Sequence, residues 1–481
     1  MGEEINTRHF SSKDFTHFNQ CLEAETQLLE KWFADNQFST RGLVAGYELE
    51  AWLIDRQGMP SPSNQRFLEQ ANSPLLTPEL AQFNVELNSE PAELKTNMLS
   101  QLEQAFKHHW QYCQQHADNL GCRLLSTGIL PTLTEQHLTL KNISHLQRYR
   151  ALNEQVLKQR KGEAFHLNIS GHQSIKNNYH NVMLEAAATS LQLHLQIPQQ
   201  QAVRYYNAAM IVSAPLVAIG ANSPYLFGKD IWAETRIPLF EQSVNVGGFA
   251  GASRGPIQRV SFGTAYAQKS LMECFTENQL HFPVLLPVNF DNKKDELKYL
   301  SLHNGTIWRW NRPLIGFDKD GTPHLRIEHR VISSGPSITD NIANMAFYYG
   351  LVHYYANLDT PPETQLEFSM TRDNFYTAAQ HGIHNKINWP GCERCNIRHL
   401  ILHQLLDHAE AGLNALALDK KDIEYYLGII QSRAEHDQTG SDWQRAFVEK
   451  HGADMQRLTQ TYYKNQQQGD PVHCWDLQSY I

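Results

Sequence analysis

Cysteine is scarce in this 481-residue chain, with seven residues at Cys21, Cys113, Cys122, Cys274, Cys392, Cys395 and Cys474. So few, and an odd number, argue against a disulfide-held fold and for reduced thiols in a cytoplasmic setting. Basic excess is also missing: 41 Lys plus Arg stand against 50 Asp plus Glu, a net charge of -9. No general field therefore draws in nucleic acid or an anionic membrane, and neither is expected as a partner. The longest apolar stretch, Ala208 to Ala221, is too short to span a bilayer and carries Pro215, so it reads as a buried helix or strand. The opening residues MGEEINTRHFSSKDF hold acids early and no apolar core, so no secretory signal is expected. Asn6 stands where a myristoylation motif wants Ser or Thr. A GxxxxGK[ST] phosphate loop is absent too. No repeat, low-complexity tract or flexible linker divides the chain.

What is present is a set of short segments alternating at period two, flanked by helical patterns over residues 14–36 and 97–119. GLVAGYELEAWLID puts Gly46, Glu48, Glu50 and Trp52 on one side of a strand. PELAQFNVELNSEP does the same with Asn84, Glu86 and Asn88, and places Glu79 just before the strand. GEAFHLNISGH aligns His166, Asn168 and Ser170, and HLRIEHRVI aligns Arg326, Glu328 and Arg330. Neighbouring carboxylates repel unless they face water, share a proton or are bridged by a cation. A merely wet outer face is the competing reading for any one strand, but none of the four carries Lys on its polar side. Glutamates with one His, several Asn and no thiolate form a hard, oxygen-dominated donor set suited to Mg²⁺ or Mn²⁺. Interspersed arginines suit anionic ligands, and together these imply phosphoryl transfer from a nucleotide. The run Gly247, Gly248, Gly251 and Gly255 with Arg254 is either a phosphate cover or a plain surface loop.

In order along the chain, GYELE, PELAQFNVELNSEP, STGILPTL, RYR, FHLNIS, ANSPYLFG, the Arg254 loop, IWRWNRP, LRIEHR and AAQHGIH resemble the glutamate-cysteine ligase family, in its carboxylate-amine ligase branch. The resemblance runs from about Gly42 to about Pro390 and implies an α+β, glutamine synthetase-like fold: a curved antiparallel sheet funnel flanked by helices. It implies an ATP-dependent ligase that makes an acyl phosphate and then an amide, with glutamate and cysteine the best-known pair. A different amine or acyl donor, or phosphotransfer to a nitrogen nucleophile, stays open. By the same resemblance Glu48, Glu50, Glu79, Glu86, His166 and Glu328 are metal ligands. Glu328 and Arg330 are the catalytic pair, with Arg330 near the transferred phosphoryl oxygens. By rough motif position Arg148, Asn222, Arg254 and Arg309 are candidate contacts to amino-acid substrates, a structural salt bridge being the alternative for each.

Ligands spread from Glu48 to Glu328 place residues 1–392 in one catalytic unit. Residues 393–481 then form a mostly helical extension packed on it, ending in an aromatic-bearing tail placed to fold back. Cys392, Cys395, His399 and His403 have a spacing conceivable for zinc but atypical of it, with a pair of reduced thiols as the default. Trp308, Trp310 and Trp389 read as core before they read as a platform for adenine.

Overall fold

A computed structural model describes residues 4–5, 7–246, 258–291 and 293–479. The Gly247 to Gly255 run and Arg254 lie outside the described residues.

The alternating segments build one eight-stranded sheet, curled into an antiparallel half-barrel. Its main path uses β1 (Val44–Ile54), β2 (Leu76–Pro78), β3 (Asn84–Asn88), β4 (Ser190–Ile197), β5 (Asn311–Phe317) and β6 (Pro323–Ser333) in the order β5-β6-β4-β1-β3-β2. Two short strands, Ala92–Glu93 and Arg123–Leu125, also pair with β1. Every pairing is antiparallel. The apolar parity, with Tyr47, Leu49, Leu193, Leu195, Leu325 and Ile327, is buried in the main core. There the sheet is backed by α3 (Ala202–Ile219) and α4 (Ile338–Ala356), which also pack on each other. The stretch Gln199–Ile219 is long and apolar enough to cross a membrane, yet 89% of its apolar 18-residue window is buried inside the protein, as a core helix requires.

The two long helical patterns form α1 (Ser12–Ala34) and α2 (Met98–Asn119), whose apolar stripes, Phe18, Leu22, Leu29 and Trp32 in the first, enter the same core. After residue 393 come α5 (Leu406–Ala415), α6 (Lys420–Glu435), α7 (Gly440–His451) and α8 (Met455–Gln468). Trp443, Phe447 and Tyr462 of the last two share a second apolar cluster with Trp52 and Phe83. Trp475 folds back onto Trp443 and Tyr462, with ring centroids 5.2 and 5.0 Å away.

Two expectations need correction. Phe165–Ser170 does not join the main sheet; it pairs with Ser174–Tyr179 in a separate hairpin. The central position next to β1 belongs instead to β4, whose sequence SLQLHLQI alternates just as strictly. Cys392 and Cys395, expected as reduced thiols, are joined in a disulfide within the second strand of the hairpin Lys386–Trp389/Cys392–Asn396. The strand is irregular between the two, with Arg394 at a positive φ of 52°. That bond removes both thiolates a zinc ion would need, and no ligand cluster includes His399 or His403 among the described residues.

Candidate active site

The polar parity of the sheet gathers the chemistry. On β1, Glu50 lies opposite Glu86 of β3, and Glu48 lies opposite Asn88 on one side and Gln192 of β4 on the other. His194 lies opposite Glu328 of β6, which in turn lies opposite Arg312 of β5. A β-bulge between His329 and Ile332 inserts one extra residue in β6. On its other edge the Arg330 backbone N–H bonds the carbonyl of Trp310, continuing the pairing with β5, and the Arg330 side chain stays beside Glu328.

Two groups of possible metal ligands result, each with donor atoms all within 4.8 Å of one another: Glu48, His194 and Glu328, and Glu50, Glu79 and Glu86. In the first, His194 Nε2 is 3.2 Å from Glu48 and 3.9 Å from Glu328. Arg312 binds both oxygens of Glu328 at 2.8 and 3.0 Å, and Arg330 adds a bond at 3.0 Å. Burial works to raise Glu328, but the two guanidiniums and His194 override it and hold the carboxyl far below its usual range. Glu48 also resists burial, because the His194 charge holds it down at about 2.

The second group behaves oppositely. Burial, reinforced by the Glu48 and Glu50 charges, pushes Glu86 up to about 7, against an opposing bond from Thr77 Oγ1 at 2.7 Å. Burial with the charges of Glu86 and Glu50 raises Glu79 well above normal. Glu50 is raised by burial, against Arg330 and against bonds from the Ser190 N–H at 2.6 Å and Gln192 Nε2 at 2.8 Å. One oxygen each of Glu48, Glu79 and Glu86 is buried without a hydrogen-bond donor. Crowded, desolvated carboxylates with orphaned oxygens are the arrangement that a divalent cation relieves.

Glu48, Glu79, Arg148, Arg312 and Glu328 line a cavity of about 420 Å³, with Trp308 at its wall. A small inner pocket adjoins it, lined by Glu50, Ser190, Arg236, Trp310 and Arg330. Glu185 lines both. Trp310 and Trp389 are core residues.

The structure thus brings together Glu48, Glu50, Glu79, Glu86, Glu328, Arg330 and Arg148. It does not bring His166, which is exposed on the separate hairpin and held by Asn178 Oδ1 at 2.7 Å. His194 occupies the place foreseen for it, because β4 and not the FHLNIS strand lies between β1 and β6. Asn222 is fully buried and committed to structure: it donates to the Ser334 carbonyl and the Tyr462 hydroxyl, both at 2.8 Å, and accepts from Gln444. Arg309 is buried against Glu277 at 3.2 Å and Asn278, off the cavity wall. Sequence reasoning missed His194, Gln192, Arg312, Arg236 and Glu185. The Gln192, His194, Gln196 alternation in SLQLHLQI was the available signal for the first two.

A curled antiparallel half-barrel with carboxylates across its polar face and a helical C-terminal part is the architecture of the glutamine synthetase-like ligases. The glutamate–cysteine ligase of Francisella tularensis, solved in complex with AMP, superimposes with a TM-score of 0.52 at 13% identity, covering 92% of this chain and 91% of that one. The bifunctional glutathione synthetase from Pasteurella multocida gives 0.51 at 13% identity, over 92% of this chain but only 54% of that longer one. No curated protein sequence matches. The sequence profile of glutamate-cysteine ligase family 2 matches residues 44–461, and the chain belongs to that family. It is an ATP-dependent ligase of the carboxylate–amine type.

Proposed function

We propose that the protein joins the side-chain carboxylate of glutamate to the amine of cysteine, giving γ-glutamylcysteine, the first step of glutathione biosynthesis. The carboxylate first attacks the γ-phosphate of ATP, giving an acyl phosphate and ADP, and the amine then displaces phosphate. The observation that carries this reading is the pair of ligand groups on the polar side of the sheet, with Glu328 of the first held between Arg312 and Arg330 beside the cavity.

Glu48, His194 and Glu328 would hold one Mg²⁺ or Mn²⁺, and Glu50, Glu79 and Glu86 another. Bound there, such ions would neutralise triphosphate charge and the charge developing during transfer. Arg312 lines the cavity and Arg330 the inner pocket, and in this reading both guanidiniums would supply fixed positive charge to the phosphoryl oxygens. Their shared anchor on Glu328 keeps them preorganised, and positioning of this kind supplies much of the rate in phosphoryl transfer. Arg148, held against Tyr149 at 2.9 Å, adds charge at the cavity wall.

The test incubates purified protein with ATP, Mg²⁺ and a matrix of amino-acid acyl donors and amines, following ADP, phosphate and product mass. A γ-glutamylcysteine product with stoichiometric phosphate is expected. Phosphate with a different amide mass would replace the substrate pair, and a stable phosphorylated product without free phosphate would replace the ligase reading with phosphotransfer to nitrogen.

A further inference from the structure

The bulge in β6 sets two residues, Arg330 and Val331, against Gln192 alone on β4, since His329 pairs with Leu193 and Ile332 with Leu191. A bulge leaves backbone groups outside the ladder, and a buried carbonyl without a donor is costly. One side chain supplies donors to both bulge residues. Arg236, at the start of the short helix Arg236–Ser243, gives Nη1 to the Arg330 carbonyl at 3.3 Å and Nη2 to the Val331 carbonyl at 2.5 Å. Its Nε goes to Glu234 Oε1 at 3.0 Å, and its guanidinium lies over the Trp310 ring, 5.4 Å from the centroid. Glu234 in turn accepts from the Ser333 hydroxyl at 2.9 Å, the Ser223 hydroxyl at 2.8 Å and the Asn222 N–H at 2.9 Å. Both residues of this ion pair are buried, and together they grip β6 on the bulge and just after it.

Each nitrogen of Arg236 is committed to a protein acceptor, although the residue lines the inner pocket. What the clamp fixes is the backbone that carries Arg330, whose side chain reaches Glu328 Oε2 at 3.0 Å and also Gln192 Oε1. A planar guanidinium spans two successive carbonyls and a carboxylate at once, which the single ammonium of a lysine cannot do. We propose that Arg236 is a positioning residue: by clamping the bulge it aims the Arg330 guanidinium for phosphoryl transfer, without touching substrate itself. The inference rests on the role given to Arg330 under the ligase reading and deepens it. Charge at Arg330 matters most as phosphoryl charge develops, so misaiming it lowers kcat and leaves metal and substrate binding largely intact.

The test is a double-mutant cycle of Arg236→Lys and Arg330→Lys, with kcat and KM taken from ADP release with MgATP, glutamate and cysteine, and with Tm and bound Mn²⁺ per chain measured on each protein. Arg236→Lys keeps a cation beside Glu234 but has one nitrogen in place of three. Its kcat should fall by about tenfold to a hundredfold, while KM for MgATP and for glutamate changes by less than about threefold and the Mn²⁺ count stays at the wild-type value. In the Arg330→Lys background the same substitution should change kcat by less than about twofold, although it still lowers Tm. A lowered Tm with unchanged kcat in Arg236→Lys would show that the clamp serves the fold alone and would overturn the inference. A kcat loss as large in Arg330→Lys as in wild type would overturn it too, because Arg236 would then act independently of Arg330. If Arg236→Lys does not fold, Glu234→Gln takes its place in the cycle under the same criteria, since it keeps an amide oxygen for Ser223 and Ser333 while loosening the hold on Arg236. A wild type that releases no ADP with any donor and amine overturns the ligase reading itself, before any variant is compared.

Discussion

Replacing Glu86 by Gln should stabilise the metal-free protein while weakening its response to metal. Glu86 is fully buried, lies opposite Glu50 and is pushed up to about 7 from its usual 4.5. The folded state therefore holds this proton more tightly than the unfolded chain does. Stability is at its full value below about pH 4.5 and is lost as pH rises through about 7. A shift of about 2.5 units corresponds to about 3 kcal/mol at pH 7.5. Unfolding entropy of about 2.1 cal/mol/K per residue gives a chain of this length about 1 kcal/mol per degree, so the effect is about 3 °C in Tm. Glutamine keeps the shape and the acceptor for Thr77 without the charge. In EDTA, Tm of Glu86→Gln should exceed wild type by about 3 °C at pH 7.5, the difference vanishing near pH 4.5, and added Mn²⁺ should raise Tm of wild type far more than of the variant. The assay is differential scanning calorimetry across that pH range with and without Mn²⁺. A variant less stable than wild type at pH 7.5, with Mn²⁺ raising both equally, would refute the reasoning.

Other consequences follow from named contacts. Arg312→Met removes the bidentate partner of buried Glu328 and should cost about 3–5 kcal/mol, read from the urea midpoint. His194→Gln should lose one equivalent of bound Mn²⁺ and most activity, whereas His166→Gln should keep its metal count; equal losses would return His166 to the site. Intact mass after alkylation should show Cys392 and Cys395 protected until reductant is added, and metal analysis should find no stoichiometric zinc.

Much of this site was legible because a strand with one face on a core repeats every two residues, so Glu48, Glu50, Glu86, Glu328 and Arg330 declare a shared side. Glu79, outside any alternation, came only through resemblance to the family. Alternation does not say which strands are neighbours. FHLNIS and LQLHLQI have the same period and each carries one histidine, and only the long-range pairing of β4 with β1 and β6 chooses between them. Arg312 sits on a strand interrupted by Pro313 and Gly316, which obscures its pattern, and Glu185 lies in a turn where no period exists. Asn222 and Arg309 show the reverse error, where polar residues near a motif are used up by the fold: one by the C-terminal helices, the other by Glu277. The disulfide joins two cysteines three residues apart on one irregular strand, a local backbone shape that the cysteine count could not supply.

The central claim is that a carboxylate is activated by phosphoryl transfer on this sheet face. It is tested most directly by running the reaction with acyl donor labelled with ¹⁸O in its reacting carboxylate and analysing the released phosphate by mass. An acyl phosphate requires one labelled oxygen to pass into each phosphate formed. Amide produced with phosphate that carries no label would contradict the account.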